Sequence, residues 1–114
     1  MVLSKFERRD IETVLGSYCE RRVPEHVRDK VRLEFRIKGE RVTLLERRLP
    51  FRGKGEWTEL VVAQFRRDQD TGYWVLYCAD RNSRWHQYEG IRATKTLKPL
   101  LAEVDRDPSG IFWG

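Results

Sequence analysis

Residues 31–38, Val-Arg-Leu-Glu-Phe-Arg-Ile-Lys, alternate apolar and charged side chains without a break. A strand turns successive side chains to opposite faces, so this stretch fits a sheet with one face buried and one in water. A helical period would scatter the same apolar residues around a cylinder. Gly39-Glu40 follows as a two-residue turn with glycine at its first central position, and Arg41 to Arg48 returns as the second strand. The turn sets the register. Ile37 faces Val42, Phe35 faces Leu44 and Leu33 faces Glu46, which gathers most apolar residues on one side.

The same reading extends down the chain. A third strand is expected from about Glu59 to Arg67, with Val61, Ala63 and Phe65 inward. Asp68 to Gly72 is a turn, Tyr73 to Ala79 a fourth strand, Asp80 to Arg84 a tight polar turn and Trp85 to Tyr88 a short fifth strand. These connections are too short for parallel crossovers. Before the strands, Ser4 and Glu7 have capping-box spacing, and Ile11, Val14, Leu15 and Tyr18 recur on one helical face. That helix should end between Cys19 and Arg22, ahead of Pro24, with Pro24 to Asp29 a short helical turn or an ordered loop. A last helix should begin near Thr96, burying Leu97, Leu100, Leu101 and Val104. The expected fold is α+β: a curved five-stranded antiparallel meander with an N-terminal and a C-terminal helix packed on one face. The 114 residues make a single domain, residues 1–114.

Composition narrows the function classes. The longest apolar run, Leu60-Val61-Val62-Ala63, is far too short to span a membrane, and the first residues carry no signal-peptide pattern. Cys19 and Cys78 lie far apart and His26 and His86 add no ligand spacing, so no metal, cofactor or disulfide is expected. Two buried thiols fit a reducing, cytoplasmic setting. The balance of 23 Lys+Arg against 18 Asp+Glu leaves a net charge of +5, most of the cations being arginine. Guanidinium binds phosphate bidentately and stacks on bases, so an anionic partner is favoured.

Three places have the residues for such a partner. On the polar face of the hairpin, Lys38 lies opposite Arg41, Arg36 opposite Thr43 and Arg32 opposite Arg47. Facing like charges cost stability unless water, carboxylates or a bound anion screen them, and Glu34 shares the face. The argument for this face fails if Arg36 and Arg47 are held in internal carboxylate pairs. The second place is the turn with Asp80, Arg81, Arg84, Trp85 and His86, where His86 and Asp80 could also pair as a general base. Asx closure of the turn is the simpler role for Asp80. The third is the basic loop Pro50 to Gly55, which lacks the P-loop pattern. Four tryptophans, at 57, 74, 85 and 113, are divided between packing and base stacking, at least half of them structural. The apolar tail Ile111-Phe112-Trp113 should dock on its own domain. No nucleophile with an oriented base is readable, and an enzyme is the least favoured class.

The segments Phe6-Glu7-Arg8-Arg9, Cys19-Glu20-Arg21-Arg22-Val23-Pro24, Gly55-Glu56-Trp57-Thr58-Glu59 and Arg84-Trp85-His86 carry a likeness, as does the ending Asp107-Pro108-Ser109-Gly110-Ile111-Phe112-Trp113-Gly114. On these the chain resembles a family of short bacterial proteins known as a domain of unknown function. The resemblance implies a standalone bacterial domain and no particular activity. The expected function is therefore nucleic-acid binding, to RNA or single strands, through Arg32, Arg36, Lys38, Arg41, Arg47, Arg81, Arg84, Trp85 and His86. The alternative is a protein-interaction or adaptor module, including a homodimer, with no membrane partner in either case.

Overall fold

The computed structural model describes residues 3–49 and 56–113; the loop expected at Pro50 to Gly55 lies outside them. The elements are α1 (Lys5–Arg22), a 3-10 turn (Glu25–Val27), β1 (Val31–Lys38), β2 (Arg41–Arg48), β3 (Thr58–Arg67), β4 (Trp74–Ala79), β5 (Trp85–Gln87) and α2 (Lys98–Arg106). The five strands form one sheet in the order β1-β2-β3-β4-β5, every neighbour antiparallel.

Local chemistry explains the boundaries. Ser4 Oγ accepts the Glu7 N–H at 3.1 Å and the Glu7 carboxylate accepts the Ser4 N–H at 2.9 Å, closing the capping box that starts α1. The β1–β2 hairpin has the register set by its turn, from Lys38 opposite Arg41 to Val31 opposite Arg48. Gly39 takes φ +60°, the left-handed value required at the first central position of this turn. α2 begins at Lys98 rather than near Thr96, because Leu97 forms the cap position and Pro99 fits the first turn.

One expectation for β3 is corrected. The register against β2 shifts between Leu44 and Leu45, so Leu44 pairs with Ala63 while Leu45 pairs with Val61. The extra residue, Val62, turns inward with Ala63 and Phe65, and Val61 turns to the other face. A bulge of this kind puts two consecutive residues on one side, which strict alternation cannot anticipate.

Both helices cover the same face of the sheet. Ile11, Leu15 and Tyr18 of α1, Leu100, Leu101 and Val104 of α2, and inward residues of the strands including Val42, Phe65, Trp74 and Leu76 form one buried cluster. The C-terminal segment closes it. Asp107 ends α2 in the left-handed region (φ 40°, ψ 58°), and its carboxylate accepts the N–H of Phe112 at 3.0 Å and of Trp113 at 2.9 Å. Trp113 Nε1 donates to the Val104 carbonyl at 3.0 Å, the Phe112 ring lies 5.1 Å from that of Tyr88, and the Arg22 guanidinium sits over the Trp113 ring at 4.6 Å. The tail thus docks on its own domain, as its apolar character requires.

Candidate anion-binding face of the sheet

Among the described residues the other face of the sheet carries no helix. Its residues follow from the register: Arg32, Glu34, Arg36 and Lys38 on β1; Arg41, Thr43, Leu45 and Arg47 on β2; Glu59, Val61, Gln64 and Arg66 on β3; Val75, Tyr77 and Ala79 on β4; Trp85 and Gln87 on β5. The face divides into two halves, one with most of its cations paired and one without.

The half nearer the Val31 end of β1 is a charge lattice. Arg36 pairs with Glu59, and Arg47 lies 3.5 Å from Glu34 and 3.8 Å from Glu59. Leu45 faces this side yet is only 2% exposed, between Glu34 and Val61 on the flanking strands. Long charged side chains bury such a residue with their aliphatic stems. Arg32 stacks on Trp57 at 4.7 Å and donates through Nε to the Arg28 carbonyl at 3.1 Å. Arg36 and Arg47 therefore have internal carboxylate partners, so the argument that rests an anion site on these two residues fails. Glu59, brought in by β3, is the residue that a reading of the hairpin alone leaves out.

The half nearer the hairpin turn is different. Lys38, Arg41 and Arg66 stand side by side across three strands, Lys38 opposite Arg41 and Arg41 opposite Arg66. Among the described residues none of the three has a carboxylate within ion-pair distance. They line a concavity of about 740 Å³ with Thr43, Gln64 and Tyr77. The acids at its rim are committed elsewhere. Glu40 is held by Arg67 Nε and Nη2, at 3.2 and 2.5 Å, and Arg67 also pairs with Glu7 of α1. Asp68 accepts the N–H groups of Asp70 and Thr71 in its turn. Arg66 is held in place: its guanidinium lies 3.9 Å from the centre of the Tyr77 ring, and Nε donates to Gln64 Oε1 at 2.6 Å. Gln64, only 7% exposed, donates in turn to Thr43 Oγ at 2.9 Å.

The turn at Asp80 separates residues that sequence proximity groups together. Trp85 pairs with Ala79 and faces the helix-free side, whereas His86 pairs with Cys78 and faces the helix side. Adjacent strand residues must diverge in this way, so Trp85 and His86 do not share a surface. Arg81 and Arg84 are exposed on the turn. Asp80 Oδ1 accepts the N–H of Asn82 at 2.8 Å and of Arg84 at 3.0 Å, while Oδ2 meets His86 Nε2 at 2.8 Å. The His86 bond, followed by the Arg84 N–H, holds the Asp80 carboxyl down at about 2. Asp80 closes the turn, and His86 extends the same hydrogen-bond set.

The two cysteines are unpaired, Cys78 buried and Cys19 half-buried. Burial, with a smaller push from Glu34, raises the Cys19 thiol to about 11. Among the described residues no group of three His, Cys, Asp or Glu side chains is placed to hold a metal ion, and no helix is long and apolar enough to cross a membrane. Sequence reasoning missed Arg66, Gln64 and Tyr77. The signal was the polar phase of β3 and β4, which becomes informative once their pairing to β2 is known.

The comparisons with known proteins add one finding. The family model described as Domain of unknown function (DUF3024) matches residues 3–114. No curated protein matches the chain, and no solved structure does.

Proposed function

We propose, for a chain that belongs to the DUF3024 family, that the helix-free face of the sheet binds single-stranded nucleic acid. The observation that supports this reading is the row Lys38, Arg41 and Arg66, set beside Tyr77 with no carboxylate within ion-pair distance among the described residues. Like charges directly opposite one another destabilise a sheet. The neighbouring lattice relieves that repulsion with Glu34 and Glu59, and the row has no such partner among the described residues. A polyanion supplies it from outside. Tyr77 and Trp85, both half-buried on the same face, add flat surfaces to which unpaired bases can stack.

The test is fluorescence anisotropy with labelled single-stranded RNA, single-stranded DNA and duplex DNA across a salt series. Single strands should bind more tightly than duplex, with affinity falling steeply as salt rises. Each phosphate contact contributes a log–log slope of about −0.7 on single strands, so Lys38→Glu with Arg41→Glu should flatten the slope by about 1.4 or more. Arg36→Glu with Arg47→Glu, in the neutralised lattice, should change the slope less. Binding to none of the three at low salt refutes the reading. A protein partner then takes precedence, because Leu60 is 64% exposed beside an apolar concavity lined by Leu33, Val62 and Phe112.

A further inference from the structure

Resting on that reading, we infer that Arg66 is the base-stacking plane of this face, so that one bound nucleotide lays its base on the Arg66 guanidinium and its phosphates against Lys38 and Arg41. Arg66 is the most constrained member of the row. A surface arginine ordinarily samples many rotamers, and ordering it on binding costs affinity. Here the guanidinium carbon sits over the Tyr77 ring, 3.9 Å from its centre, and Gln64 accepts from Nε at 2.6 Å. Gln64 is itself fixed by burial and by its bond to Thr43 at 2.9 Å. A planar group with one face on a ring has one face left, and Arg66 lines the concavity. Guanidinium planes stack on unpaired bases as aromatic rings do.

The row also sorts the remaining roles. Adjacent strands lie about 4.8 Å apart, so Lys38 and Arg41 stand about 5 and 10 Å from Arg66 in the order Arg41, Lys38. Both are exposed. Neither has a ring beneath it among the described cation–ring contacts. They are suited to a phosphate, which accepts charge from many directions, and Arg66 to a base, which requires a plane. Gln64 is a positioning residue that acts through Arg66.

The experiment compares a labelled oligodeoxyadenylate with an abasic deoxyribose-phosphate oligomer of equal length and charge. The wild-type protein should bind the base-bearing strand roughly five- to a hundredfold more tightly, the span that loss of one stacking contact covers. Arg66→Lys keeps the charge and removes the plane. It should erase most of that preference while leaving abasic affinity within about twofold. Gln64→Met, nearly equal in volume, should reduce the preference by a smaller factor and leave abasic binding unchanged. Equal affinity of the wild type for both oligomers overturns the inference and leaves a face that reads phosphate alone. A preference that survives Arg66→Lys also overturns it, and places stacking on a ring elsewhere. Binding of neither oligomer overturns the functional reading itself.

Discussion

The ending Asp-Pro-Ser-Gly-Ile-Phe-Trp acts as a clasp through one side chain, and replacing Asp107 tests it. The Asp107 carboxylate accepts two backbone N–H groups, from Phe112 and Trp113. Hydrogen bonds to a charged acceptor contribute ~1.5–3 kcal/mol each when buried. These are half-buried, so about 2 kcal/mol for the pair is the working value. Asp107 also occupies the left-handed region, which costs an aspartate or an alanine about 1 kcal/mol and a glycine nothing. Asp107→Ala should therefore destabilise by about 2 kcal/mol, and Asp107→Gly by about 1 kcal/mol once the relieved backbone is counted. Asp107→Asn should cost about 1 kcal/mol, because its amide nitrogen cannot accept from the second N–H. Phe112→Ala sets the ceiling at about 3 kcal/mol, the low end for a buried phenylalanine at the domain's margin. Urea unfolding followed by tryptophan fluorescence and far-UV circular dichroism gives the values, with an unchanged m-value required. An Asp107→Gly protein more stable than the wild type by about 1 kcal/mol, the strain relieved, would show that the carboxylate contributes nothing, and the clasp would be packing alone.

Three further outcomes follow from the charges. Arg67→Met strips the nearly buried Glu40 of its partner and should cost about 3 kcal/mol, much of it recovered by adding Glu40→Met; a double-mutant cycle with no coupling would contradict the pairing. The Tyr88 hydroxyl is raised to about 12, chiefly by donating at 2.7 Å to the Glu103 carboxylate, and burial raises Tyr18 still further. Because the folded values exceed the unfolded one, this stability is full below about pH 10 and is lost as pH rises from 10 toward 12. Urea midpoints over that window should fall for the wild type and fall less for Tyr88→Phe. Arg41→Gln removes the central cation of the row and should raise stability by about 0.5 kcal/mol while weakening nucleic-acid binding. A loss of stability in that variant would mean the row is satisfied within the protein.

The parts of the fold that were legible are those set by neighbours in sequence. The β1–β2 register follows from an unbroken period of two and one glycine at φ +60°, and the start of α1 from Ser4 and Glu7. The bulge at Val62 was hidden because Val61 and Val62 are both valine, so either phase of β3 looks apolar. The face chemistry was harder for a related reason. Arg36 and Arg47 look uncompensated within the hairpin, and Glu59 reaches them only through the pairing of β2 with β3. Trp85 and His86 were separable in advance by strand alternation, the rule that placed everything else.

The distribution of carboxylates across the surface is the more informative pattern. Arg22, Arg36, Arg47, Arg48, Arg67 and Arg106 each lie within 4 Å of an acid, on both faces and at both ends of the sheet. The cations of the row are adjacent, on three consecutive strands, and Arg67 beside Arg66 in the chain is doubly paired, to Glu7 and Glu40. Strand alternation sends Arg66 to the helix-free face and Arg67 to the opposite side, so neighbours in sequence receive opposite electrostatic treatment. Surface pairs of this kind contribute little to stability individually. Other cations, among them Arg8, Arg81, Arg84 and Arg92, also have no acid within ion-pair distance among the described residues, and what distinguishes the row is that its three cations are adjacent, beside the Gln64 and Tyr77 that hold Arg66 in place.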